Sequence, residues 1–318
     1  MPPDWGRHER YWMAWPCRSG RWGDHLEAAC EVVAEVAKLV AEQGPVTILA
    51  NPAEVADISL SCGPGIAAMV VPHGDCCMRS MGPTFLLDFR GGMIGIRWPD
   101  EWRGTVADAI LDHLRLPGVA GPLTAPGGFF DVDGEGSCLA SEGLLSAAGC
   151  SREEAERYLA DYVGIDKVIW LKHGLEGDLT GGHVLNLARF LRPGVVLALT
   201  DDDRGDANAD LLKENAARLK AARDARNREL TIARAPQPKR RERADGTRIC
   251  ASYANCFVNR NFILLPAFED SKDQVAYDSV VSVLLDHVVI SLPALDLAYG
   301  GSGFANIAIA QPSVRALT

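Results

Sequence analysis

The sequence predicts an α/β protein made of about five successive strand-and-helix groups. Three observations lead there. Short apolar runs rich in β-branched residues recur along the chain, stretches with helical spacing lie between several of them, and the groups follow one another at about sixty residues each.

The first predicted helix covers residues 25–43, where Leu26, Ala29, Val33, Val36 and Val40 fall on one face at three-and-four spacing. Strands are predicted at 46–50, 69–71 and 85–89. Ser151, followed three residues later by Glu154, reads as a capping box opening a helix over 151–162. A strand at 168–171 follows, then one at 195–200, a helix at 211–223 and a strand at 230–233. The last predicted elements are a strand at 262–268, a helix at 270–285 and a strand at 288–292. Residues 236–246, with Lys239, Arg240, Arg241 and Arg243, form the most polar loop; without interleaved aromatics it reads as a solvated surface rather than a phosphate site.

Composition bounds the function. The chain has 318 residues, 47% apolar and 23% charged, the balance of a globular protein able to bury a large core. A net charge of -10 excludes the basic footprint a nucleic-acid binder needs. No apolar run is long enough to span a bilayer and no secretion signal is present, so a cytoplasmic protein is expected. The nine cysteines are scattered, without the spacing of a zinc site, and are expected to be reduced and mostly buried. The histidines form no spaced cluster and no glycine-rich phosphate loop occurs, so neither metal nor nucleotide cofactor is expected.

Five blocks carry a resemblance. They are W-G-R-H-E-R-Y-W-M-A-W-P from Trp5, M-R-S-M-G-P-T-F from Met78, D-V-D-G-E-G from Asp131, G-L-E-G-D-L-T-G-G-H-V-L-N-L-A-R-F from Gly174, and A-S-Y-A-N from Ala251. In order and spacing the chain resembles the agmatine deiminase family. That resemblance implies the pentein fold, five ββαβ units around a pseudo-fivefold axis with the active site at the hub. It also implies one domain over residues 1–318 and a homodimer.

The resemblance further implies a chemistry whose residues have changed. Such deiminases attack a guanidinium carbon with a Cys thiolate, use a His to shuttle the proton, and hold the cation with carboxylates. The family motif G-G-N-I-H-C-I-T-Q-Q corresponds to G-G-S-G-F-A-N-I-A-I-A-Q-P from Gly300, which puts Ala308 at the nucleophile and Ile307 at its neighbouring His. No Cys follows Cys256. In W-M-R-D-T-G-P the Trp becomes Cys77 and the Asp becomes Ser80, beside a retained Arg79. The Glu of E-G-G becomes Pro126, followed after two glycines by Phe129 and Phe130. In D-G-H-V-D-N the two acids become Gly181 and Leu185, with His183 and Asn186 retained.

The expected consequence is a central cavity with apolar, uncharged walls whose ligand is a small neutral molecule. Trp15, Cys77, Ser80, Phe129, Phe130, Leu185, Asn255 and Ala308 are the expected binding residues. His183 is the expected acid or base, although a packing relic fits it equally; Tyr253 and Arg79 would polarise or move a proton, or only support backbone. Cys76 and Cys77 read as small core hydrophobes, with a relocated nucleophile as the alternative. Three functions follow. The first is a repurposed enzyme catalysing a non-hydrolytic cyclisation, isomerisation or elimination, in a setting such as secondary-metabolite biosynthesis. The others are a non-catalytic binding or regulatory protein, and an ordinary agmatine deiminase.

Overall fold

A computed structural model of the chain describes residues 1–17, 22–88, 90–99, 104–124, 127–201 and 203–314. One pattern repeats five times: two antiparallel strands, then a helical connection to a third strand that lies parallel to the second. Parallel pairing requires such a crossover, and a helix supplies it.

In the first unit β1 (His8–Ala14) pairs in parallel with β2 (Val46–Ala50) through α1 (Leu26–Ala41), and β3 (Ala67–Val70) is added beyond α2 (Val55–Cys62). The short helix α3 (Met78–Met81) leads into the second unit, β4 (Thr84–Leu87), β5 (Met93–Arg97), α4 (Gly104–Leu114) and β6 (Gly118–Ala120). The third is β7 (Phe130–Val132), β8 (Ser137–Ser141), α5 (Gly143–Ala148), α6 (Arg152–Tyr158) and β9 (Lys167–Leu171). The fourth is β10 (Ala188–Arg192), β11 (Val195–Thr200), α7 (Ala209–Ala221) and β12 (Thr231–Pro236). The fifth is β13 (Phe257–Val258), β14 (Phe262–Ala267), α8 (Lys272–Val283) and β15 (Val288–Pro293). After α9 (Leu295–Tyr299), β16 (Ala308–Pro312) returns to lie antiparallel on β1, with Met13 opposite Ala308. The antiparallel partner missing from the first unit thus comes from the far end of the sequence.

The helix α1 buries Ala29, Val33, Ala34, Val36, Ala37 and Val40, the face its spacing predicts, with Ala34 and Ala37 widening the stripe. The α6 capping box is present: Ser151 Oγ accepts from Glu154 N at 3.2 Å, and the Glu154 carboxylate accepts from Ser151 N at 2.9 Å. The strand predicted at 85–89 is observed as β4, one residue earlier; Phe89 lies outside the described residues, as does Pro126. No helix among the described residues is long and apolar enough to cross a membrane.

Candidate functional site

His183 stands at the head of a single 3-10 turn, Val184–Asn186, that delivers the chain into β10. Its backbone N–H donates to Thr180 Oγ1 at 3.0 Å, and it is 2% exposed. The loop around it depends on glycine. Gly181 and Gly182 have φ of +80° and +105°, a region that a Cβ disfavours. A Cβ on Gly128 would collide with the His183 imidazole, so backbone passes directly against the ring. Phe129, the next residue, meets that imidazole edge-on, and its ring tip lies 3.7 Å from where a Gly181 Cβ would project. The position at which the family pattern has an acid is therefore bare, with an aromatic ring beside it.

Below the turn a polar relay joins three segments. Asn186 Nδ2 donates to Asp178 Oδ1 at 3.2 Å, and Asn255 Nδ2 donates to Asn186 Oδ1 at 2.7 Å. Asn255 Oδ1 in turn accepts from Ala305 N at 3.0 Å. Gly303 leaves no room for a Cβ against the Asn255 amide. The relay ties the His183 turn to the loop that carries Ala308 into β16. Asn255 acts here on backbone and on another amide, both buried.

The other expected site residues divide among several environments. Leu185 is fully buried in a cluster with Leu139, Leu171 and Val196. Phe130 packs edge-on against Trp98, with centroids 5.8 Å apart. Trp15 lies in the large core around α1, beside a groove bearing Asp24, Glu27, Glu31 and Asp57. Cys77 Sγ donates to Ser80 Oγ at 3.2 Å, so these two replacements face each other across the first turn of α3, which Cys77 precedes. Ala308 is 2% exposed and presents only a methyl group.

For Tyr253 and Arg79 the contacts are those of the supporting alternative. The Tyr253 hydroxyl donates to Asp273 Oδ1 at 2.7 Å and its ring packs on Phe268, fastening α8 to the core. Burial first, then that carboxylate, drives its pKa far above the usual tyrosine range. Arg79 Nε donates to Ala305 O at 3.1 Å and its Nη2 to Asp4. Charge is buried in a separate cluster. Asp4 accepts from both Arg79 and Arg189, and Asp131, whose Oδ2 accepts from Phe190 N at 2.7 Å, lies within their field. Burial raises the Asp131 carboxyl to about 6, against the pull of Arg189.

Asp4 and Arg189 were not singled out in the sequence, and no local spacing marks them as partners. The only available signal was that Asp131 and Arg189 both sit inside resemblance blocks as charged residues flanked by apolar ones.

No thiol with a resolved shift is activated. Desolvation pushes up Cys62, Cys76, Cys138, Cys150 and Cys250, and takes Cys256 to about 12 although Arg189 opposes it. Among the described residues no group of three or more His, Cys, Asp or Glu is arranged to hold a metal ion.

Residues 1–312 match the family model described as Porphyromonas-type peptidyl-arginine deiminase. A Legionella pneumophila protein, provisionally named agmatine deiminase, is 36% identical over 334 residues, covering 100% of this chain and 96% of that protein. The agmatine deiminase of Stutzerimonas stutzeri is 31% identical, covering 98% of this chain and 95% of its own. The solved agmatine deiminase of Enterococcus faecalis superposes with a TM-score of 0.91 at 25% identity, over 99% of this chain and 96% of that one. The five small sheets are thus those of a pentein, as the resemblance implied, and the chain belongs to the Porphyromonas-type peptidyl-arginine deiminase family, alongside the agmatine deiminases.

Proposed function

We propose that the chain is a small-molecule enzyme in which His183 moves the proton. Its reaction is non-hydrolytic (a cyclisation, isomerisation or elimination) on a neutral, largely apolar substrate. The observation that supports this is Ala308, a buried methyl group where the family pattern has its thiol. Guanidine hydrolysis by a covalent route needs a thiolate, and a guanidinium needs carboxylates to offset its desolvation. Ser80, Gly181 and Leu185 supply no charge, and Phe129 occupies the space beside Gly181. The same reading takes the protein as cytoplasmic, homodimeric and part of a secondary-metabolite route.

A second reading, deimination of agmatine to N-carbamoylputrescine, is favoured by the full-length relatives that bear that enzyme's name. Their names support it more directly than they support the first reading. The two part at one assay. Folded protein incubated with agmatine releases ammonia and N-carbamoylputrescine under the second reading, and neither above the buffer blank under the first. Thermal-shift screening then compares guanidinium compounds with neutral polycyclic ones. On a substrate found that way, His183→Ala lowers turnover by about 10²–10⁴-fold, the usual worth of a positioned acid or base. Full activity in that variant would remove the role given to His183, and binding without turnover would make the chain a non-catalytic family member.

A further inference from the structure

Two arginines from different units meet on one carboxylate. Arg79 in α3 and Arg189 in β10 are 8% and 1% exposed, and both donate through Nη2 to Oδ2 of Asp4. A guanidinium carries five N–H donors and is unfavourable to bury without acceptors. Asp4 meets both cations with a single oxygen, and Nε and Nη1 of Arg189 have no hydrogen-bond partner among the described residues. The supply of acceptors is short of the supply of donors.

Asp4 does not belong to a strand or helix. It lies in the segment before β1, whose first six residues are all half-buried. A small cleft with a cavity volume of about 30 Å³ adjoins the cluster, lined among others by Met1, Pro2, Asp4, His8, Arg79 and Thr84. His183, Phe129, Gly181 and Leu185 do not line it. The cleft therefore reaches Asp4 and Arg79 from the side of the N-terminal segment, with Arg189 behind them; Gly127 is its nearest approach to the His183 turn.

We propose that Arg79 and Arg189 form a binding site for a small carboxylate, occupied here by the side chain of Asp4, and that a free monocarboxylate takes the same place when Asp4 is withdrawn. The chemistry is that of a carboxylate between two forked donors, which both point charges and N–H geometry favour. The cleft beside Asp4 provides the entrance. The site does not depend on what reaction, if any, occurs at His183.

The test uses the full chain with Asp4→Ala, which empties the place between the arginines and leaves both cations buried. Breaking a buried pair in this way lowers the melting temperature by roughly 10 °C. Sodium formate then restores about half of that loss at concentrations about a hundredfold above its dissociation constant. Sodium chloride at equal ionic strength restores none. Wild-type protein, with the site filled, shows no formate-specific rise, and neither does Asp108→Ala, which breaks the half-exposed Arg97–Asp108 pair. Saturable broadening of the ¹³C-formate resonance by Asp4→Ala, absent with wild type, reports the binding directly. Should Asp4→Ala not fold in chloride, refolding in formate but not in chloride gives the same answer. Equal effects of formate and chloride on Asp4→Ala, or formate broadening no greater than with wild type, overturns the proposal.

Discussion

The imidazole of His183 meets the ring of Phe129 edge-on, with centroids 5.0 Å apart and planes at 74°. An edge-on pair of this kind adds about 0.5–1.5 kcal/mol to the burial of the rings themselves. Phe129 is 3% exposed, so truncating it leaves a cavity that the glycine-rich loop opposite can close only in part. Phe129→Ala is expected to lower stability by about 3–5 kcal/mol in denaturant unfolding, with no change in the slope. A loss under about 1 kcal/mol would mean that the ring is a loose flap rather than a packed wall.

The carboxyl of Asp131 makes stability depend on pH in an unusual direction. Its value rises from 3.8 when exposed to about 6 in the fold, because burial outweighs the attraction of Arg189. The native state therefore holds the proton longer than the unfolded chain does. The contribution of Asp131 falls by about 3 kcal/mol as pH rises from 3.8 to about 6, and is level above that. Asp131→Asn keeps an oxygen to accept from Phe190 N and removes the titration. Stability of the variant minus that of the wild type should climb across this window, measured by urea unfolding at successive pH values. A flat difference would place the carboxyl in a more solvated setting than its burial indicates.

Local signals were legible in the sequence and long-range pairs were not. The apolar face of α1 could be read because one side of that helix meets water, so the pattern carries a period. The capping box of Ser151 and Glu154 could be read because both halves lie within one turn. By contrast β1 is buried along its second half and short of β-branched residues, so no alternation marks it; its partner β16 lies at the other end of the chain. The Asp4–Arg189 contact joins residues 185 positions apart, and no pattern encodes it. For the same reason the buried Asp4–Arg79–Arg189 cluster was not foreseen: the acids missing at Gly181 and Leu185 could be counted, whereas charges brought together by folding could not. At the His183 turn the glycines record close backbone passages.

The Ser151 box gives a clean check of one of those local signals. Ser151→Ala removes the acceptor for Glu154 N at the start of α6 and touches nothing in the core. A loss of about 1 kcal/mol is expected, read as a lower midpoint in urea. Replacing Ser151 by Asp instead should recover most of it, since a carboxylate also caps and favours the positive helix end. Equal losses in both variants would trace the effect to the loop rather than the cap.

The last prediction concerns what a single residue can restore. Ala308 lies on β16 opposite Met13, in a buried ladder that accepts a side chain one sulfur larger only with slight movement of its neighbours. Ala308→Cys would put a thiol where the family pattern has one, at a position only 2% exposed. No carboxylate at positions 80, 181 or 185 would receive a guanidinium beside it. Agmatine turnover by Ala308→Cys is therefore expected to remain at the buffer blank. The triple variant Ala308→Cys, Gly181→Asp, Leu185→Asp fares no better while the Phe129 ring lies against position 181, whose φ of +80° also strains a side chain there. Only with Phe129→Asn added does the site regain room for a cation as well as charge to hold it. Ammonia release measured across that series separates a missing nucleophile from missing cation-binding groups: activity from Ala308→Cys alone would show that the thiol was the whole deficit.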